Sequence, residues 1–279
     1  MRGQLGTELA TRIRTRFEAE VIGPPHQELD LAQEDQISAF MAGNQFDLLV
    51  NCTAYNQVEA AQNDPGPAFA LNASAVANLA ALCKKRGVYL VHFSTDYVFD
   101  GTKGSPYDED DTPNPLNIYG LSKYAGEASL RILHSRHCII RTSGLYGKHR
   151  SPSAKMNFVE TILSRVREDQ PLSVRNDLIC TPTSASELAD AACELMDQEA
   201  VGTFHASNSG SCSWFDFASE ILRLEKISAP IRSTIGDTPT TAASRPAYSV
   251  LNTQKLERLG IRLSSWQEAL ARYLFERKS

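Results

Sequence analysis

The sequence predicts an α/β protein: a doubly wound parallel sheet carrying a smaller mixed α/β unit. Three observations predict it. The run Val88-Tyr89-Leu90-Val91-His92-Phe93 is β-branched, aromatic and apolar, and it follows Gly87, which reads as a buried strand. Ser94, Thr95 and Asp96 then stand at its carboxyl end, where open α/β sheets place their chemistry. Similar strand signals at 46–52, 137–142 and 202–206 alternate with helical stretches, the pattern of a parallel sheet.

The composition belongs to a globular chain. With 279 residues it buries a sizeable core, and 42% hydrophobic and 22% charged residues exclude wholesale disorder. The formal net charge of -5 gives no general attraction to nucleic acid or to an anionic membrane. No apolar run long enough to span a bilayer and no signal peptide is read, so a cytoplasmic protein is expected. The six cysteines are scattered, with no C-x-x-C and no metal-ligand spacing to the six histidines. Reduced buried thiols are expected, and no protein metal site.

Taken in order, 7–17 reads as a helix behind Gly3-Gln4-Leu5-Gly6. Residues 20–23 read as a short strand and 28–31 as a further extended piece. An amphipathic helix at 34–43 ends on a glycine. After the strand at 46–52 come Thr53, Ala54 and Tyr55, small or aromatic residues that can line a ligand groove. Residues 56–62 read as a loop or short helix, and 67–86 as a long alanine-rich helix. Asn72 is a polar residue within it and needs a partner. The stretch 100–117 is a Gly-, Pro- and Asp-rich surface loop. Then 119–134 is a helix, 137–142 a strand, 148–155 a basic Ser-rich loop, 156–167 a helix and 171–174 a strand. A helix at 183–198 has Thr183 or Ser184 as N-cap. A strand at 202–206 precedes a helix capped by Ser213, in which Trp214, Phe215 and Phe217 read as core. The chain closes with a strand at 231–235, a loop at 238–243 and helices at 253–259 and 264–275.

Tyr119 and Lys123 are four residues apart at the start of a helix, so both point from one face. A phenol titrates near pH 10, and a neighbouring ammonium favours the phenolate. That pairing suits Tyr119 to acid/base work on a carbonyl or alcohol oxygen, with Thr95 donating to the same oxygen. A surface Tyr and a solvated Lys would share this spacing; its place after Ser94-Thr95-Asp96-Tyr97-Val98-Phe99 favours the chemical reading.

These segments, with Asn51-Cys52-Thr53-Ala54-Tyr55, Leu71-Asn72-Ala73, Thr181-Pro182-Thr183, Arg245-Pro246 and Ser249, resemble the extended short-chain dehydrogenase/reductase family over nearly the whole chain. Within it they resemble the dTDP-4-dehydrorhamnose reductases. The resemblance implies a Rossmann-like sheet, an NADPH or NADH cofactor and a nucleotide-sugar substrate whose 4-keto group is reduced. It implies Thr95, Tyr119 and Lys123 as catalytic. It implies Gly3, Gln4, Leu5, Asp30, Leu31, Thr53, Ala54, Tyr55 and Asn72, with Tyr119 and Lys123, as cofactor-binding. Asp96, Tyr97, Phe99, Asn157 and Arg245 are implied at the substrate. It allows for a homodimer with Mg2+ at the interface, for which no ligands are assigned.

Three departures accompany the resemblance. The family's first glycine and the strand before it have no counterpart ahead of Gly3. The expectation is a start assigned too late, with weak dinucleotide binding and lower stability as written. Gly144 stands where the reductases usually carry a Trp that packs on the sugar, and Asp177-Leu178 replaces an Asp-Gln. No acidic residue ends the 20–23 segment, which leans toward NADP(H). The expected division is 1–147, 178–206 and 244–260 for dinucleotide, and 148–177, 207–243 and 261–279 for substrate. Two other functions stay open: a reductase or epimerase of another nucleotide sugar, and a non-catalytic regulatory subunit such as that of methionine adenosyltransferase, which also lacks the Trp.

Overall fold

A computed structural model describes residues 3–148, 156–236 and 243–278. The first half runs α1 (Gln4–Arg16), α2 (Glu34–Gly43), β1 (Leu48–Asn51), α3 (Val58–Asn63), α4 (Pro65–Phe69), α5 (Ala75–Arg86), β2 (Tyr89–Thr95), α6 (Ile118–Leu133) and β3 (His137–Thr142). The second half runs β4 (Leu145–Tyr146), α7 (Phe158–Arg167), β5 (Leu172–Arg175), β6 (Ile179–Cys180), β7 (Thr183–Ser184), α8 (Ala185–Asp197), β8 (Gly202–His205), β9 (Cys212–Ser213), α9 (Trp214–Leu224), β10 (Ile231–Thr234), α10 (Gln254–Arg258) and α11 (Trp266–Glu276).

The main sheet is parallel, in the order β1-β2-β3-β8. Every residue of β2 is buried, because helices cover both faces. Side chains alternate across a strand. Tyr89, Val91 and Phe93 therefore pack with Leu5 and Leu9 of α1 and Leu188 and Leu195 of α8. Leu90 faces the other way, with Ile37, Val76, Leu79 and Leu130 from α2, α5 and α6. His92 shares that second face. A separate core gathers Tyr146, Val159, Phe217, Trp266 and Leu270 around α7, α9, α11 and the parallel pair β5–β10.

Two expected extended pieces are not strands. Residues 20–23 form no ladder; Ala19 and Val21 instead lay their side chains on the core beside Leu48 and Val50. Pro24 and Pro25 follow at once and cannot donate to a ladder. At 28–31 the Asp30 carboxylate accepts from Ala32 N at 2.9 Å, closing a turn. The alanine-rich helix begins two residues earlier than expected and contains a π turn at Ala70–Ser74. Contrary to the expectation from composition, the continuous run Pro65–Arg86 is, by length and composition alone, long and apolar enough to cross a membrane. Its Ala75, Val76, Leu79, Ala80 and Cys83 are buried in the protein core. Ser184 stands at the N-cap of α8 without a side-chain bond, whereas Ser213 forms a full capping box with Asp216. The loops expected at 148–155 and 238–243 lie outside the described residues except at Lys148 and Ala243.

Candidate active site

The site is built where β2 ends against the start of α6. Asn117 caps α6, accepting from Gly120 N at 2.8 Å and donating to Ser244 O at 2.7 Å. Two glycines let α6 come in. A Cβ on Gly120 would lie 2.1 Å from Tyr97 O, and one on Gly126 would lie 2.1 Å from Asn72 O. Only hydrogen at those positions brings Tyr119 onto the end of β2. There Tyr119 and Thr95 line one wall together. The Tyr97 ring stands edge-on to Tyr119 with centroids 5.8 Å apart. These residues wall a cavity of about 190 Å³, closed by Ser143, Gly144 and Trp214. A larger cavity of about 430 Å³ lies between α1, α8 and α11. Its Asp190 and Glu187 are paired with Arg12 and Arg272.

Burial pushes Tyr119 up to about 12, with the neighbouring Thr95 opposing. Lys123 does not act on the phenol in this arrangement, which corrects the expected pairing. Its Nζ turns under the sheet, donating to Phe93 O at 2.6 Å and lying 3.3 Å from His92 Nε2. Burial lowers Lys123 to about 8, and Glu127 opposes it. Four-residue spacing sets the face of a helix, not the direction in which a four-carbon side chain turns.

Asp96 is a knot. Its carboxylate accepts from Thr95 Oγ1 at 3.1 Å, Ser143 Oγ at 2.9 Å and Ser249 Oγ at 2.6 Å. Burial still raises its pKa against those donors. Asn72 finds the partners its burial demands: Oδ1 accepts from Tyr55 N, and Nδ2 donates to Tyr55 O and Ser122 Oγ, at 2.8, 3.0 and 3.0 Å.

Three expected substrate residues are not on the cavity wall. Phe99 is fully buried, stacked on Tyr107 with Arg141 over its ring. Asn157 caps α7, and its amide donates to Gly147 O at 2.9 Å and Gln4 Oε1 at 3.2 Å. Arg245 is tied to Glu59 at 2.6 Å. Each satisfies a local polar or packing demand and is absent from the cavity wall. Asp30 and Leu31 form a turn and a packing contact below α2.

Trp214 is the residue that pattern reading assigned to the core. Gly144 has φ +54°, and a Cβ placed on it would meet Trp214 Cη2 at 3.4 Å. The indole reaches from the first position of α9 to the space beside Gly144 and lines the cavity. An apolar wall is therefore present, delivered from another element. The readable signal was position: Trp214 directly follows the capping Ser213, while Phe217, one turn on, is buried.

A dinucleotide fits the strand ends. The N-terminus of α1 follows Gly3, around which a Cβ would meet nothing within 4 Å. A Cβ on Gly6 would lie 3.9 Å from Cys52, so the helix starts beside the end of β1. Helix N-termini favour phosphates, and no acidic residue occupies the first turn of α1. Leu5 belongs to the core, whereas Thr53 and Ala54 are exposed. Among the described residues no three His, Cys, Asp or Glu side chains gather for a metal, so the allowance for Mg2+ finds no support.

A parallel, doubly covered sheet whose strand end presents Thr95 to Tyr119, with Lys123 one turn along the same helix, defines an extended short-chain dehydrogenase/reductase. The family model described as RmlD substrate binding domain matches residues 1–278. The chain is 37% identical over 277 residues to the spore coat polysaccharide biosynthesis protein SpsK of Bacillus subtilis, covering 99% of this chain and 95% of that one. It is 33% identical to a dTDP-4-dehydrorhamnose reductase of Sinorhizobium fredii, covering 98% and 94%. The Bacillus anthracis dTDP-4-dehydrorhamnose reductase, solved in complex with NADP, superposes with a TM-score of 0.90 at 35% identity, over 98% of this chain and 95% of that chain. This chain belongs to the RmlD family, that of the dTDP-4-dehydrorhamnose reductases.

Proposed function

We propose that this protein reduces the 4-keto group of a dTDP-activated deoxysugar, dTDP-4-dehydro-L-rhamnose before others, to the alcohol. The observation that carries the reading is Thr95 and Tyr119 side by side on the wall of a cavity at the strand ends. A bound nicotinamide dinucleotide supplies the hydride. NADPH is the preferred form, since no free carboxylate ends the 20–23 segment and Asp30 is engaged by Ala32. Tyr119 donates its proton to the developing C4 alkoxide, and Thr95, its hydroxyl turned from Asp96, hydrogen-bonds the same oxygen. A phenol held near 12 is protonated at neutral pH and ready to act as an acid. Lys123, turned outward, assists that donation and binds ribose. Asp96 fixes the strand ends, and Trp214 offers its face to the sugar. The core around the main sheet serves as the dinucleotide unit, and the α7–α9–α11 core as the substrate unit.

The experiment is turnover of purified protein with NADPH and dTDP-4-keto-6-deoxy sugars. Loss of nicotinamide absorbance with appearance of the 4-hydroxyl product is expected. No reduction of any such sugar sinks the reading. The Gly144–Trp214 arrangement favours one alternative, a different 4-keto-6-deoxy sugar as best substrate, which the same panel reveals.

A further inference from the structure

Asn51 and His92 are register partners on β1 and β2. Their polar atoms form a row with a fixed direction. Thr53 donates to Asn51 Oδ1 through its backbone N at 3.1 Å and its hydroxyl at 2.6 Å. A backbone N–H has no acceptor role, so the amide is oriented, with Nδ2 toward His92. Nδ2 lies 3.1 Å from His92 Nδ1. An amide nitrogen only donates, so Nδ1 is the unprotonated nitrogen. His92 is fully buried, and burial holds its pKa well below the ordinary value, so the ring is neutral. Its proton is then on Nε2, which lies 3.3 Å from Lys123 Nζ. An N–H aimed at Nζ meets the lone pair of an amine favourably and the hydrogens of an ammonium unfavourably.

We propose that Thr53, Asn51 and His92 are positioning residues that set the protonation state of Lys123, favouring the neutral amine while it lies under the sheet. The amine accepts from His92 Nε2 and donates to Phe93 O. The other titratable groups facing this spot are Glu127 on α6, which favours the ammonium, Cys52 after β1, and His137 on β3. Burial pushes the Cys52 thiol up to about 12 and lowers His137, so both are neutral near pH 7. The catalytic consequence rests on the reductase reading: the row sets the pH above which Lys123, lying under the sheet, holds no charge to carry outward to Tyr119.

The test is long-range proton–nitrogen NMR of histidine-labelled protein. The Nε2–H form of His92 throughout the neutral range is expected. An Nδ1–H ring, or an imidazolium titrating in that range, overturns the proposal. A second measurement follows the Lys123 Cε shift against pH in wild type and in His92→Leu. Making the surroundings more apolar would by itself lower the Lys123 midpoint. Removal of the opposing N–H raises it, by about one unit or tenfold in the ammonium-to-amine ratio. A lowered or unmoved midpoint overturns the proposal. If His92→Leu does not fold, the wild-type tautomer decides. Neither measurement needs turnover, so failure of the reductase reading is seen separately, in the sugar panel.

Discussion

Asn72 and Ser122 are joined by a 3.0 Å hydrogen bond between the π turn and α6. The same amide holds both backbone groups of Tyr55. Asn72→Ala would leave three polar groups short of a partner, each costing on the order of 1–3 kcal/mol when buried. Expected is a lower urea midpoint with unchanged slope, together with weaker dinucleotide binding. A variant as stable as wild type would show that water replaces the amide.

Tyr119→Phe removes the hydroxyl and keeps the ring against Tyr97. Turnover is expected to fall roughly 10²–10⁴-fold, the usual worth of a positioned acid. Nicotinamide fluorescence should report unchanged dinucleotide affinity. Near-normal turnover would remove Tyr119 from the chemistry.

Trp214→Ala opens the cavity wall beside Gly144. The sugar is expected to bind more weakly, with KM rising about tenfold for roughly 1.4 kcal/mol of lost contact. Trp214→Phe should recover much of it. Steady-state kinetics with a fixed nucleotide and varied sugar separates this from a folding defect, which would lower apparent kcat through the active fraction and leave KM unchanged.

Burial pushes Glu127 up, but the Arg141 guanidinium, at 2.9 and 2.7 Å, more than offsets it and holds the carboxyl below its ordinary value. Both side chains are almost wholly buried. Glu127→Ala strands the Arg141 charge and is expected to cost about 3–5 kcal/mol. A calorimetric Tm within a degree or so of wild type would contradict the structural role.

His205 adds a pH dependence. Burial, with Arg141 nearby, lowers it to about 3 from an ordinary 6.5. Between those values the unfolded chain binds a proton that the folded chain refuses. This share of stability is complete above pH 6.5 and is lost as pH falls toward 3. His205→Gln should flatten the fall of the urea midpoint across that window.

Much of this was legible because it is periodic. Strand β2 is a continuous apolar run, and a strand covered on both faces has to be one. Tyr119 and Lys123 share a face by arithmetic, and Asn72 announced itself as a polar residue on a buried helix. Rotamers and partners are not periodic. Nothing in the spacing says that Lys123 Nζ turns to Phe93 O, or that His92 stands beside it. Phe99 and Asn157 came from resemblance alone, and they serve as core and as a helix cap; Arg245 was read as a cation for the substrate or as an ion-pair partner, and it pairs with Glu59. Residues 20–23 carried a strand composition, but a strand also needs a partner, and Pro24-Pro25 supplies no N–H with which to extend the run into a ladder.

The Asp96 carboxylate collects hydroxyls from positions 95, 143 and 249. Sequence separations of that size make the site a late product of biosynthesis. A ribosome-bound chain stopped short of Ser249 has its sheet strands but an acid lacking one of its three hydroxyl donors. Shortening the protein from the carboxyl end past Ser249 would therefore remove that donor together with Leu256 of the main core and Trp266 and Leu270 of the second.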